Sequence, residues 1–391
     1  MEVVYTYEEP PLSYSKSIFL VGPTPRDGKT QSWRPEALRI LDRFGYDGVV
    51  FVPENRDGSK TENFYEKRCR WEQGMLDRAD VIVCWVPREL RTMPAFTTNI
   101  EFGLYAHSGR VVLGAPNLGD QSKQPPKMDY LNFVAGKLAI LRANTLQKTL
   151  ETALVMLGSG SERNGGECEI PLNIWRMRAF QNWYQAQKKS GNRLDGAKIE
   201  WLSTVRNKPT VIFACAIRPK IFIASENRTK LNDPIVLRLD ISTVLMYYPT
   251  PNILDTKVVV TKEFRSASST SDGFIYELPG GSSPFLTDPL EVAVEEVREE
   301  VGLDIQARDL IILGSRQLAG TLSGHKAHLF GYRLTQSQLN WLESQKGIVH
   351  GADLDNPTGE RAYTEIWTVA DILKNNLLDW SNVGMILSLL R

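Results

Sequence analysis

Residues 276–303 read YELPGGSSPFLTDPLEVAVEEVREEVGL and set five glutamates, Glu291, Glu295, Glu296, Glu299 and Glu300, within one short stretch of helical pattern. A helix brings residues three and four apart onto one face. Glu296, Glu299 and Glu300 therefore converge, and Leu290, Val294, Val297 and Val301 form an apolar stripe opposite them. Glu291, Glu295 and Glu299 make a second acidic row. Like charges at this spacing repel by roughly 0.2–0.5 kcal/mol per pair, and Arg298 alone relieves them. A row of glutamates on a helix is ordinarily a solvated face. Here it is framed by Gly280-Gly281 before the helix and Gly302 after it, a glycine stop of the expected type. A strand, a glycine turn, an acidic helix and a glycine stop predict a site for a hard divalent cation with oxygen ligands.

The same residues resemble the loop–helix–loop of the Nudix hydrolases, G-x5-E-x7-R-E-U-x-E-E-x-G-U with U aliphatic. Gly281 stands at the first glycine, Glu296-Val297-Arg298-Glu299-Glu300 at the metal-binding run, and Gly302-Leu303 at the close. The resemblance implies that Glu296, Glu299 and Glu300 hold Mg²⁺, or Mn²⁺ in its place, against a diphosphate that water attacks. Two positions depart from the pattern. Its first glutamate falls on Thr287, with Asp288 and Glu291 nearby, and its arginine falls on Glu295. The strand Thr256–Arg265 and the following Phe274–Glu277 are similar to the ADP-ribose pyrophosphatase branch, which implies substrate contacts at Arg265 and Glu277. By the same resemblance a catalytic glutamate is expected in the loop Asp355–Glu360, at Glu360 or at nearby Glu365. His325 and His328 alternate with apolar residues and read as structural or substrate-lining. The branch also implies a homodimer.

Bulk composition leaves few other classes open. The chain has 391 residues, 42% hydrophobic and 24% charged, with a formal net charge of zero. That length suggests two domains, and the neutral charge offers no general field for nucleic acid or a membrane surface. No apolar run reaches the roughly 18 residues of a membrane span. Cys69, Cys84, Cys168 and Cys215 lack metal-ligand spacing and read as reduced thiols. The amino terminus lacks the pattern of a secretory signal. The expectation is a soluble cytoplasmic protein acting on a small nucleotide substrate.

Ahead of the acidic helix, residues 17–150 alternate short β-rich runs with helical stretches. Ser17–Val21, Gly48–Val52, Val81–Val86, Val111–Gly114 and Leu138–Leu141 predict a doubly wound parallel sheet. Ligands of such sheets lie at the carboxyl ends of the strands, which here means Gly22-Pro23-Thr24, Pro53-Glu54-Asn55 and the loop 87–99. Gly22–Thr30 is not a phosphate-binding P-loop: five residues separate its glycines, and Pro23 and Pro25 delete amides.

Trp71–Val83 reads as a helix running into a buried strand, and Thr98-Asn99-Ile100-Glu101-Phe102-Gly103 as the start of another helix. Together they resemble the nucleoside 2-deoxyribosyltransferases and their nucleotide N-hydrolase relatives. The resemblance implies that Glu101 attacks the anomeric carbon and Glu72 assists the leaving base. Gly22, Pro23, Thr24, Asp80 and Asn99 are the substrate contacts it implies. Splitting an N-glycosidic bond passes through an oxocarbenium-like state that a carboxylate stabilises, while a second carboxyl handles protons. Phe19 stands where the family has a tyrosine, and residues 93–98 lack the usual acid; Trp33 and Phe96 are the aromatic residues near enough in sequence to stack on a base.

The polar, glycine-rich Gly158–Gly166 predicts a flexible linker. The domains are then 1–157, transferase-like with a doubly wound sheet, a linker at 158–170, and 171–391 with the α/β/α Nudix fold and its mixed sheet. Residues 171–205 read as helical, and Pro209–Ala216 and Lys220–Ala224 as strands. The pairing suggests an N-terminal half that cleaves or exchanges an N-glycosidic bond, of NAD or of a nucleoside or nucleotide, and a C-terminal half that hydrolyses ADP-ribose or a similar compound. The alternative is that one half senses a nucleotide and regulates the other.

Overall fold

The computed structural model describes residues 1–59, 65–205, 208–231, 233–351, 355 and 359–390. The chain forms two compact units, Met1–Leu237 and Arg238–Arg391. Unit 1 opens with β1 (Glu2–Tyr5) and the short β2 (Ser13–Tyr14), then alternates strand and helix. The series is β3 (Ser17–Val21), α1 (Arg34–Arg43), β4 (Val49–Val52), α2 (Tyr65–Arg78), β5 (Val81–Trp85), α3 (Phe96–Tyr105), β6 (Val111–Gly114), α4 (Asp129–Lys137), β7 (Leu141–Ala143) and α5 (Leu146–Leu157). The strands lie in the order β1-β4-β3-β5-β6-β7, every pair parallel. β3, β4, β5 and β6 are buried along their whole length, as apolar runs covered on both faces must be. The chain leaves β3 on one side for β4 and returns on the other for β5. Their carboxyl ends therefore flank a topological switch point.

Two readings of this half shift. The run Leu138–Leu141 is not one strand: Leu138 closes α4 and Ala139 takes φ 52°, so pairing begins only at Leu141. The outer strand β1 was not read from the sequence: it is exposed or half-exposed at three of its four residues and lacks the continuous burial of β4 and β6.

Residues 158–170 do not behave as a flexible linker. Within them β8 (Arg163–Asn164) pairs antiparallel with β2, and the fully buried Arg163 grips Asp80 at 2.8 and 2.6 Å. The chain continues through α6 (Leu172–Trp175) and α7 (Arg178–Lys189) into the long antiparallel pair β9 (Arg193–Val205) and β10 (Lys208–Ile223), with β11 (Arg228–Lys230) and β12 (Ile235–Arg238) alongside. Only Leu172–Trp175 and Arg178–Lys189 of the stretch read as helical are α-helix; from Arg193 it is strand. Leu194, Ile212, Cys215, Ile217 and Leu237 share one core with Ile18, Leu20, Val83 and Trp85. This shared apolar face is why the division falls after Leu237 rather than at the glycine-rich segment.

Unit 2 is built on an eight-stranded mixed sheet. Its strands are β13 (Ile241–Tyr248), β14 (Lys257–Phe264), β15 (Phe274–Glu277), β16 (Gly280–Gly281), β17 (Ile311–Gln317), β18 (Lys326–Arg333), β19 (Val349–His350) and β20 (Ala362–Thr368). β13 and β18 are parallel, and β17-β18, β13-β14, β14-β20 and β20-β19 are antiparallel. Alternate residues serve opposite faces. Val244, Met246 and Val259 pack with α8 (Pro289–Val301) and α9 (Gln336–Ser344). Leu245, Val258 and Val260 pack with α10 (Val369–Lys374) and α11 (Trp380–Ile386). Helix, sheet and helix thus stack in three layers. No helix among the described residues is long and apolar enough to cross a membrane.

Candidate functional site

At the switch point of unit 1 a cavity of about 320 Å³ is lined by Gly22, Pro23, Thr24, Arg34, Arg68, Glu72, Phe96, Thr98 and Glu101, among others. Each wall has a local cause. An added Cβ at Gly22 would stand 2.4 Å from the Trp85 carbonyl, so glycine alone lets β3 and β5 meet at the floor. Arg34 opens α1 and is 1% exposed. Its guanidinium donates to the carbonyls of Leu20 (3.1 Å) and Gly22 (2.7 Å), to Thr24 Oγ1 (3.1 Å) and to Glu54 Oε1 (2.7 Å). It fixes the Gly22-Pro23-Thr24 loop.

Glu101 lies in the second turn of α3, which starts at Phe96 rather than at Thr98, so attraction to a helix terminus does not explain it. Thr97 and Thr98 share its face and also line the cavity. Burial, and then the neighbouring Glu72, push the Glu101 carboxyl up from 4.5 to about 7, against the opposing pull of Arg34 and Arg68. Glu72 is held by Arg68 Nε at 2.8 Å, whose other end donates to the Pro53 carbonyl at 2.7 Å. Two carboxylates with different surroundings therefore face one cavity.

Asp80 and Asn99 do not join them. Asp80 precedes β5 and so sits at its amino end, roughly 15 Å of strand away from the cavity. It is buried against Ser17 Oγ (3.0 Å), the Leu172 amide (2.8 Å) and Arg163. Asn99 lies two residues before Glu101, on the far side of a helix of about 3.6 residues per turn, and accepts from Arg88. Phe19 is fully buried near Phe51 and Trp71, with ring centroids 6.5 Å away from each, so β3 presents no hydroxyl there. Arg34, Arg68 and Arg26 escaped the sequence reading. Only Arg68 had a local signal, its position four residues before Glu72.

In unit 2 the acidic helix is capped as its sequence suggests. The Asp288 side chain accepts from the Leu290 amide at 2.9 Å, and Gly302 ends the helix at φ 72°. Asp288 is thereby engaged as a cap, Thr287 is exposed, and Arg298 pairs with Glu295. Val292, Ala293, Val297 and Val301 are the buried residues, with Leu290 and Val294 partly covered, so the apolar face is broader than the stripe read from spacing. Gly281 packs directly on Glu296: a Cβ there would lie 2.5 Å from its Oε1. Glu300 accepts from the Gly280 amide at 3.0 Å.

Arg265 stands among three acids, Glu263 at 2.7 Å, Glu360 at 3.5 Å and Glu277 at 3.8 Å. Burial lifts Glu263 and Glu296 to about 7, helped by the other acids of the cluster. Glu277 and Glu299 rise for the same first reason, and Glu300 well above the carboxylate range. Glu263 was missed in the sequence, although a strand puts it on the same side as Arg265. Glu365 instead accepts from Trp367 Nε1 at 2.8 Å. His328 bridges Ser315 (2.7 Å) and Asp240 (3.2 Å) across neighbouring strands. Of the loop Asp355–Glu360, residues 356–358 lie outside the described residues.

Carboxylate oxygens with too little neutralising charge match the donor chemistry of a hard cation, and Glu296, Glu299 and Glu300 are the groups that could hold one. Among the described residues no three such side chains are drawn together round a common point. Glu299 shares a hydrogen bond with Glu295 and Glu300 is held on Gly280. Carboxylates without a counter-ion repel one another and spread.

Residues 15–118 match the family model described as "Nucleoside 2-deoxyribosyltransferase like". The chain carries a nucleoside 2-deoxyribosyltransferase-like domain. That segment includes Gly22, Arg34, Glu72 and Glu101, and so the whole cavity. No curated protein matches the chain. Among solved structures, one titled "Crystal structure of ADP compounds hydrolase" is 15% identical, covering 50% of this chain and 94% of its own, with a TM-score of 0.32.

Proposed function

We propose that the transferase-like domain breaks the N-glycosidic bond of a nucleoside or nucleotide. The observation that carries this is the meeting of Glu101 and Glu72 in one cavity at the switch point of the matched segment. Glu101, once ionised, attacks the anomeric carbon as the carbon–nitrogen bond breaks. The departing base takes a proton through Glu72 or water, and water or a second base then releases the sugar from Glu101. Arg34 holds the Gly22-Pro23-Thr24 wall throughout.

We further propose that unit 2 is a Nudix-type pyrophosphohydrolase acting on ADP-ribose or a similar nucleoside diphosphate derivative. Support comes from the shape of the motif: a glycine packed on Glu296, a capped acidic helix, and Arg265 among Glu263, Glu277 and Glu360. Glu296, Glu299 and Glu300 would hold Mg²⁺ or Mn²⁺. When bound, such a cation neutralises the diphosphate and lowers the pKa of its water. Arg265 orients the substrate's charge and Glu360 accepts a proton.

Glu101→Gln and Glu300→Gln, each incubated with Mg²⁺ and with mononucleotides, NAD or ADP-ribose, separate the readings. Base release should vanish in the first and diphosphate cleavage in the second. Cleavage of ADP-ribose that persists at the wild-type rate in Glu300→Gln would sink the pyrophosphohydrolase.

A further inference from the structure

Among the described residues that line the cavity, Phe96 is the exposed aromatic side chain. It begins α3 and is 63% exposed while lining the cavity wall with Glu101. The buried Ala95 before it takes a left-handed φ of 61°, a conformation that non-glycine residues hold only when their surroundings demand it. The Arg26 guanidinium lies 5.4 Å from the centre of the Phe96 ring. The Arg26 amide donates to the Thr92 carbonyl at 2.9 Å, joining the loops after β3 and β5. The other aromatic candidate is unavailable. Trp33 is 8% exposed, and its Nε1 donates to the Pro23 carbonyl at 3.3 Å.

We propose that Phe96 is the platform on which the leaving base stacks, and that Arg26 beside it selects an uncharged nucleobase over a cationic pyridinium. This rests on the reading of Glu101 given above. Purines and pyrimidines are neutral π-systems, which gain from an aromatic face and from an adjoining guanidinium. A pyridinium base stacked on Phe96 would bring a second positive charge beside the Arg26 guanidinium, whereas Arg34 and Arg68 are each paired with an acid, Glu54 and Glu72. Like charges so placed repel.

AMP, CMP and nicotinamide mononucleotide test this directly, since they share a ribose 5′-phosphate and differ in the charge of the base. Their dissociation constants are measured by calorimetry on the full chain carrying Glu101→Gln. AMP and CMP should bind at least tenfold more tightly than nicotinamide mononucleotide. Adding Phe96→Ala should weaken AMP about 5- to 100-fold, the range of a lost base stack, with recovery in Phe96→Trp. Adding Arg26→Gln should narrow the gap between AMP and nicotinamide mononucleotide. Unchanged AMP affinity in Phe96→Ala, or equal binding of the three ligands, overturns the proposal and leaves Glu101 untouched. If none of the three binds and the wild-type protein releases no base, platform and glycosidic reading fall together.

Discussion

Two residues carry the tightest geometric claims. Gly281 touches the Glu296 carboxylate so closely that a methyl group would meet Oε1 at 2.5 Å. Gly281→Ala should therefore displace Glu296 and lower ADP-ribose hydrolysis at least tenfold, while calorimetric melting moves by less than about 3 °C, since a partly exposed residue at the end of a two-residue strand bears little of the core. Glu101 is the second. Its folded carboxyl titrates near 7 rather than 4.5 because burial disfavours its charge. The folded state then binds more protons than the unfolded one between those values, so this group makes stability fall as pH rises from about 4.5 to 7. Glu101→Gln removes that penalty. Its melting temperature should lie nearest wild type at pH 4 and exceed it increasingly up to pH 8, where a shift from 4.5 to about 7 is worth roughly 3 kcal/mol, or about 6–12 °C in a domain this size. A difference that is constant across pH would contradict the buried carboxyl. If ionised Glu101 is the nucleophile, base release by the wild type rises through pH 7.

At the scale of elements, the strands that sequence alone delivers are those with β-branched runs covered on both faces: Ser17–Val21, Val81–Trp85 and Val111–Gly114. The acidic helix was equally legible, because cap, periodicity and glycine stop agree. Gly158–Gly166 was not. Its composition is that of a flexible segment, and what anchors it is a pair between Arg163 and Asp80, 83 residues apart, which no local window contains. Asp80 was misjudged for the same reason: its place before a strand suggested a substrate contact, but its partners close the opposite end of the sheet. Both groups are fully buried, and breaking such a pair strands a charge at a cost of about 3–5 kcal/mol. Asp80→Ala or Arg163→Ala should each lower the urea midpoint of unit 1 sharply. Changing both to apolar residues of similar volume should recover part of that loss. Full stability in either single variant would mean that the pair anchors nothing.

The whole chain is best divided where its cores divide. Because residues of β9, β10 and β12 belong to the same core as the parallel sheet, a fragment ending at Leu237 should fold with a cooperative thermal transition. One ending at Leu157 lacks Arg163, leaves the buried Asp80 unpaired, and should lose that transition. The proposed reactions, one at a carbon–nitrogen bond and one at a diphosphate, are assigned to separate units. In the proposed mechanism the first step runs through Glu101 and forms a covalent sugar ester there. A 2-deoxy-2-fluoro nucleotide slows hydrolysis of such an ester. The decisive measurement is intact-protein and peptide mass spectrometry after incubation with it. The account predicts one added glycosyl group on the peptide containing Glu101, absent from Glu101→Gln; base release with the label on Glu72, or with no labelled peptide at all, would contradict it.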